Sequence, residues 1–378
     1  MTSANVGIKL FLIFIIAKKF KEIILIFGST IGIERNTLKR TTIHDIAKEL
    51  NIAFSSVARA LNDHPAISEA TKKAVKETAE RLGYRQNKLA SSLRSGKSNI
   101  IGVIVPSLHV SFFSSVVHGI EKVMNANGLN ILLYQSNESL EHERDGIETF
   151  LQSRVDGIIA SITIETFNFE HYNEIKKRNI PLVFFDRTID KLEVPSVTID
   201  DHKGGFIATD HLIKQGFKKI VHITAEQDMP IFKERLRGYI DALKANNLPV
   251  IEELIVKGKF SIDFGRTVIK DLRERSVEFD GVFALEDFTG MGVIQELTAQ
   301  GILIPEEVGV IGFANESFGE LVTPQLSTID QQTIKMGEEA AKLFLKISKE
   351  EDLYKKGSFN RVVLDPVLLV RNSSSKIK

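Results

Sequence analysis

With 378 residues, 43% of them hydrophobic, the chain is long enough for two or three domains with substantial cores. It contains no cysteine, which excludes a disulfide framework and any thiolate metal site and fits the cytoplasm. The 49 basic and 49 acidic residues cancel overall, but residues 35–97 carry 13 Lys or Arg against 6 Asp or Glu while residues 98–378 carry a net −9, so phosphate binding is expected at one end only.

In chain order, residues 8–17 (IKLFLIFIIA) form an apolar run followed by Lys18, Lys19 and Lys21, and residues 23–27 are apolar again. A membrane-spanning helix needs about 20 apolar residues, and charge interrupts this run halfway. A signal peptide would carry more than Lys9 in its basic region and a small-residue cleavage site. Three readings stay open: a start placed too far upstream, with no folded role; a membrane anchor; or an interaction arm. Residues 28–40 read as a polar linker, so 1–40 is set aside as an extension.

Residues 42–62 (TIHDIAKELNIAFSSVARALN) are the most informative stretch. Ile43, Ile46, Ala47 and Leu50 recur at i, i+3, i+4 and i+7, one face of a helix. Thr42 and Asp45 stand where a cap hydroxyl and a third-position carboxylate can satisfy orphan N–H groups. Asn51 tolerates the left-handed turn. A second helix is expected over about 54–61, with Val57, Ala60 and Leu61 facing the first and Phe54, Ser55, Ala58 and Arg59 outward. An Arg fork reads guanine and a Ser hydroxyl pairs with several bases, so a helix-turn-helix is weighed against an ordinary helical hairpin. Ser68 then caps a third helix with Val75, Ala79 and Leu82 spaced for burial and Gly83 as its stop. Residues 84–94 are basic, with apolar residues three or four apart.

From residue 99 onward, short β-rich runs alternate with helical patterns. Strands are expected at 100–105, 130–134, 157–161, 182–185, 219–224, 281–285 and 308–313, with helices between them such as 113–127 and 204–215. Alternation implies parallel sheets covered on both faces, and some 270 residues suit two similar lobes.

The chain resembles the LacI/GalR-type bacterial transcription regulators over residues 41 to about 370. The resemblance rests on the 42–62 block, on ISEATKKAVKETAERLGYRQNKLASSLRSGKSNIIGVIVP, and on the later blocks SFFSSVVHGIEKVMNANGLNILLYQSNE, IPLVFFDR, GGFIATDHLIKQGFKKIVHI, ERLRGY, GVFALEDFTGMGVIQEL and EVGVIGFANESFGELVTPQLSTIDQ. It implies an α/β architecture: an N-terminal all-α helix-turn-helix DNA-binding domain (41–86), a hinge helix (87–97) and a periplasmic-binding-protein-like body of two doubly wound parallel-sheet lobes (98–370), crossed three times by the chain, then a tail (371–378). The first lobe is expected over 98–199 and 313–331, the second over 200–312 and 332–370. The implied partners are double-stranded operator DNA, a sugar-like effector in the interlobe cleft, and a second copy in a homodimer on a near-palindromic site. No cofactor, metal or catalytic residue is implied.

By the same resemblance, Thr42, Phe54, Ser55, Ser56, Arg59 and Asn62 contact DNA from the head. Asn87, Ala90, Leu93 and Arg94 do so from a hinge helix that forms on operator DNA, where the residue matching Leu93 wedges into the minor groove. Two local departures loosen this pattern: Ala53 replaces a capping Ser, and Gln86 replaces a Pro. For the effector, family matches and the rule that ligands gather beyond strand carboxyl ends select Val110, Phe112, Phe113, Asp186 and Arg187 on the first lobe, and Arg235, Phe260, Glu286 and Asp287 on the second. Alternatives remain for several of them. The three Phe can be plain core, Arg235 a surface residue, Asp186 half of a structural ion pair, and Asp287 a helix cap. The family's effector-binding Asp is Ala314 here, while Glu286 replaces an Asn, so the acceptor role is expected to have moved to Glu286.

Two rival classes are weighed. A secreted or membrane-tethered sugar-binding protein would share the body but leaves residues 41–94 unexplained. An enzyme finds no support in nucleotide-binding, zincin or nucleophile-elbow motifs, and the nine His show no ligand spacing.

Overall fold

The computed structural model describes residues 41–84, 97–351, 353–354 and 360–376. The chain divides into two compact units, residues 1–88 and 89–378.

In the first unit, helices α1 (Ile43–Leu50), α2 (Phe54–Leu61) and α3 (Glu69–Arg81) enclose Ile46, Ala47, Val57, Ala60, Val75 and Ala79, all buried. The backbone N–H and the hydroxyl of Thr42 both donate to Asp45 Oδ2 at 2.8 Å, fixing the start of α1. Asn51 ends it at φ 53°, the left-handed turn the sequence called for. Ala53 starts α2 with no side-chain cap, whereas Ser68 caps α3 through Thr71 N (3.3 Å). Thr41 Oγ1 donates to Leu82 O (2.7 Å) and joins the beginning of this bundle to its end.

The second unit has two parallel sheets. The first lobe orders its strands β11-β5-β4-β3-β1-β2, from β1 (Ile100–Val105), β2 (Asn130–Gln135), β3 (Gly157–Ala160), β4 (Leu182–Phe185), β5 (Ser196–Ile199) and β11 (Arg361–Leu364). The second orders β7-β6-β8-β9, from β6 (Ile220–Ala225), β7 (Ile255–Gly258), β8 (Gly281–Ala284) and β9 (Gly309–Ile311). A two-stranded antiparallel ribbon, β10 (Thr328–Asp330) with β12 (Val367–Leu369), joins them. Helices on the sheet faces include α4 (Ser111–Ala126), α5 (Leu140–Gln152) and α6 (Glu170–Lys177) in the first lobe, and α7 (Asp201–Lys214), α8 (Pro230–Ala245), α9 (Ile262–Glu274) and α10 (Asp287–Ala299) in the second. The central strands are buried on both faces: β1 is almost wholly Ile and Val, and β6 is buried throughout although it carries His222 and Thr224.

Lobe membership differs from expectation near the C-terminus. Residues 332–370 were expected in the second lobe, yet helix α11 (Thr333–Ile347) and β11 complete the first. β11 pairs in parallel with β5, Val362 opposite Val197. α11 lies against α4 so closely that a Cβ on Gly119 would meet Ile334 O at 2.2 Å, and one on Gly337 would meet Val116 O at 2.1 Å. Small residues permit this backbone approach, and it fixes α11 to the first lobe. Conversely, residues 313–331, expected in the first lobe, leave β9 of the second, and Ser327 bridges Ile311 there. The expected tail is structural as well: Ser373 and Ser374 are fully buried, Ser373 Oγ donating to Val310 O (2.6 Å) and Ser374 Oγ meeting His211 Nε2 (2.8 Å).

Candidate functional site

Both lobes turn the carboxyl ends of their strands toward one cavity of about 510 Å³, within the range of small-molecule sites. Val110 precedes α4, and Phe112 and Phe113 occupy its first turn, edge-on to each other at 4.9 Å. Both rings belong to the core cluster and line the cavity at the same time, so the core and binding readings coexist.

Asp186 follows β4 at φ 58°, a conformation that is costly for a residue other than glycine. Its side chain is 9% exposed and receives no hydrogen bond among the described residues, and Arg187 Nε stands 3.7 Å away. Burial pushes this carboxyl up to about 6. The pairing with Arg187 is therefore loose, because Arg187 Nη1 is held by Glu138 at 2.9 and 2.8 Å. Glu138 also accepts from Ile164 N (3.0 Å) and lines the cavity.

On the second lobe, Arg235 projects from α8 and is buried, which removes the surface reading. Nε donates to Asp201 Oδ1 (2.8 Å), Nη1 to Leu285 O (3.1 Å) and Nη2 to Gln331 Oε1 (3.3 Å), with the guanidinium 3.7 Å from the centre of the Phe313 ring. Phe260 is half-buried and meets Phe232 at 5.9 Å across the cavity wall. Glu286 lines the cavity but spends its carboxylate on capping α10, accepting from Phe288 N (2.9 Å), Thr289 N (2.6 Å) and Thr289 Oγ1 (2.5 Å). Burial raises its carboxyl above the ordinary range.

Asp287 needs correcting. It is neither on the cavity wall nor the cap of α10. It is fully buried, with Oδ2 accepting from Glu316 N and Oδ1 from Thr328 Oγ1, both at 2.7 Å. Burial pushes it up to about 7. Gly312 exists for this contact, since a Cβ there would lie 2.1 Å from Asp287 Oδ1.

Sequence reasoning missed Glu138, Gln331, Glu316, Phe232 and Phe288 on the wall. Glu138 lies just past β2, Glu316 just past β9 and Gln331 just past β10, so the strand-end rule that selected Asp186 contained the signal for all three. His222, by contrast, is core: it stacks on Phe283 at 4.5 Å and Tyr239 at 5.0 Å, and burial lowers it to about 4. Among the described residues no group of three or more His, Asp or Glu is placed to hold a metal ion.

In the helical unit, Phe54, Ser55 and Arg59 are exposed on α2 and Ser56 is half-buried. The Phe54 ring, 54% exposed, lies 5.0 Å from His44. Asn62 is exposed beyond the end of α2 and donates to Ala58 O (2.8 Å). Thr42 is exposed at the start of α1. Asn87, Ala90, Leu93 and Arg94 lie outside the described residues.

Two family models match the chain. Residues 42–87 match "Bacterial regulatory proteins, lacI family", and residues 98–360 match "Periplasmic binding proteins and sugar binding domain of LacI family". Catabolite control protein A of Priestia megaterium is 33% identical over 311 residues, 82% of this chain and 93% of that protein. The ribose operon repressor of Bacillus subtilis is 31% identical over 312 residues, 82% of this chain and 93% of that one. Among solved structures, a LacI family regulator from Enterococcus faecium with bound ribose superimposes with a TM-score of 0.63 at 26% identity, covering 74% of this chain and all of that one. With a trihelical head and a two-lobed α/β body matched in order along its length, the chain belongs to the LacI family of bacterial regulatory proteins.

Proposed function

We propose that this protein is a transcription regulator that grips operator DNA with residues 41–86 and a hinge at 87–97, and answers to a sugar-like effector held between the lobes of its body. The observation that carries the reading is the pairing, in one chain, of an exposed polar face on α2 with an interlobe cleft lined by aromatic rings and buried acceptors. Arg59 and Ser55 are assigned to base edges in the major groove. Thr42, Phe54, Ser56 and Asn62 are assigned to flanking contacts. Asn87, Ala90, Leu93 and Arg94 are assigned to the minor groove, with Leu93 as the wedge.

In the cleft, Phe112, Phe113 and Phe260 offer faces for the apolar side of a sugar ring, and Asp186, Glu286 and Gln331 offer acceptors for its hydroxyls. Two relatives support a carbohydrate, one being a ribose operon repressor and the other a structure that holds ribose. The chain acts as a cytoplasmic homodimer on a near-palindrome, and as a binder rather than a catalyst. No helix among the described residues is long and apolar enough to cross a membrane.

Response follows from linkage. An effector that binds one lobe arrangement more tightly shifts the population toward it, and the DNA affinity of the dimer changes by the same coupling energy. Footprinting of genomic fragments with and without candidate sugars tests the reading. The expected result is protection of a near-palindrome that a sugar strengthens or relieves, with Leu93→Ser binding DNA without the central bend. A protein that retains no duplex in dilute buffer, with or without sugars, sinks the reading and favours the rival, a tethered or secreted sugar binder.

A further inference from the structure

Helix α4 opens into the cavity with 16 residues behind it and no side-chain cap of its own. A long helix presents unpaired N–H groups and the positive end of aligned peptide dipoles at its start, a natural seat for an anion. Here the anion comes from the opposite lobe. One carboxylate oxygen of Glu316 accepts from Ser111 N (3.4 Å) and Ser111 Oγ (2.5 Å), and the other accepts from Phe112 N (3.3 Å). Glu316 is 3% exposed. Asp287 holds its N–H from behind, and the two residues before it, Ala314 and Asn315, turn through φ 121° and 58° to direct it across.

The charges nearby are engaged in the same way. The cavity wall has two basic residues among those described, Arg187 and Arg235. Glu138 pairs with Arg187 through Nη1, leaving the buried Nε without a hydrogen-bond partner among the described residues, and Asp201 takes Arg235. The carboxylate of Asp186, nine-tenths buried, has no hydrogen-bond donor among the described residues. An entering phosphate or carboxylate would therefore meet a filled helix terminus, two guanidinium groups already paired, and an unsatisfied carboxylate.

We propose that Glu316 is a specificity-determining residue: a built-in anion that fills the α4 terminus, ties the lobes across the cleft, and restricts the effector to neutral or cationic molecules that donate hydrogen bonds to Asp186. Phosphorylated and carboxylated sugars are turned away. The proposal rests on the cleft being the effector site.

Inorganic phosphate is the probe. The Ser111 and Phe112 amide resonances and the melting temperature are followed in the full chain as chloride is exchanged for phosphate at constant ionic strength. Both resonances stay fixed in the wild type. In Glu316→Ala they move saturably and the melting temperature rises by a few degrees. Glu316→Gln, which keeps the side chain's size and one acceptor, responds less and guards against misfolding of the smaller variant. Wild-type amides that respond to phosphate, or Glu316→Ala amides that ignore it, overturn the proposal.

A second arm offers neutral sugars and nucleosides beside their phosphorylated and carboxylated forms. Neutral members are expected to bind the wild type at least ~10-fold more tightly, because like charges brought face to face are strongly disfavoured. The reverse order overturns the proposal. If nothing in either set binds, the effector reading of the cleft fails, and the phosphate arm still judges Glu316.

Discussion

The α2 face and the interlobe cleft keep their polar groups in opposite states. On α2, Ser55 and Arg59 stand in solvent, and Arg59 has no ion pair among the described residues. In the cleft, Arg235 donates to Asp201, Leu285 O and Gln331, Arg187 Nη1 donates to Glu138, and Glu286 and Glu316 cap helices. A surface that reads a changing partner can leave its side chains uncommitted, because the head's stability comes from the apolar seam beneath them. A buried site has less freedom, since a charge withdrawn from water is costly without a partner, and Asp186 is the cleft carboxylate left without a donor among the described residues. The cleft's polar groups are therefore scaffold and recognition surface together.

Substitutions separate the two regions. The largest effect belongs to Arg235→Ala, which strands Asp201 in the interior. A loss of about 3–5 kcal/mol is expected from removing one partner of a buried pair, and denaturant unfolding of the body measures it. A change under about 1 kcal/mol, the range of exposed pairs, would erase the contrast with the head.

Arg59→Ala is the counterpart. Folding stability should stay within about 0.5 kcal/mol, as for exposed positions, while operator affinity falls by about 1–3 kcal/mol with relaxed preference at one base pair. Quantitative footprinting across a base-substituted operator set reads both. Uniform weakening at every sequence would instead make Arg59 a phosphate contact.

Asp186→Asn tests the buried acceptor through pH. The folded-state carboxyl, at about 6, holds its proton more tightly than the unfolded one. Between the two values the folded chain binds more protons, so this group favours folding fully at low pH and loses that contribution as pH rises through about 6. The wild type at pH 7.5 therefore carries a desolvated charge that the Asn variant lacks. The variant should be more stable there by about 1–3 kcal/mol, the gap closing near pH 4. A gap that does not vary with pH would mean Asp186 titrates normally.

The smallest change is Ala53→Ser in the head. Ala53 already has the extended N-cap geometry (φ −64°, ψ 140°) without a side-chain acceptor. A hydroxyl there should add roughly 1 kcal/mol, visible as a rise in the melting temperature of the helical unit and absent from the body's transition.

What the sequence disclosed follows the strength of each physical signal. The head was legible in outline because three short helices have few ways to bury Ile46, Val57 and Val75, and Asn51 marks the turn. β1 was legible because IIGVIV is an apolar run broken by nothing larger than a glycine, whereas β6 (IVHITA), carrying His222 and Thr224, was placed one residue early at 219–224. β5 and β7 were not legible, being four residues long with polar residues inside. β11 escaped for another reason: it is the sheet's edge, and with Arg361 and Val363 exposed no continuous buried run marks it. The cleft was half legible. Residues chosen for lying past strand ends reached the wall, but nothing local distinguishes Glu286, which faces the cavity, from Asp287, which turns inward. That choice is made by Glu316 and Thr328, 29 and 41 positions away in the chain.

The placement of α11 and β11 bears on how the protein comes off the ribosome. The sheet that begins at Ile100 is finished only by Arg361–Leu364, and the glycine-lined groove of α4 stays uncovered until Gly337 and its neighbours arrive. The other sheet likewise waits for Ser373 to meet Val310. Neither half of the body can close until residues 361–373 have been made, so the nascent chain carries two unfinished layers up to that point. The small head, complete by Tyr84, faces no such delay.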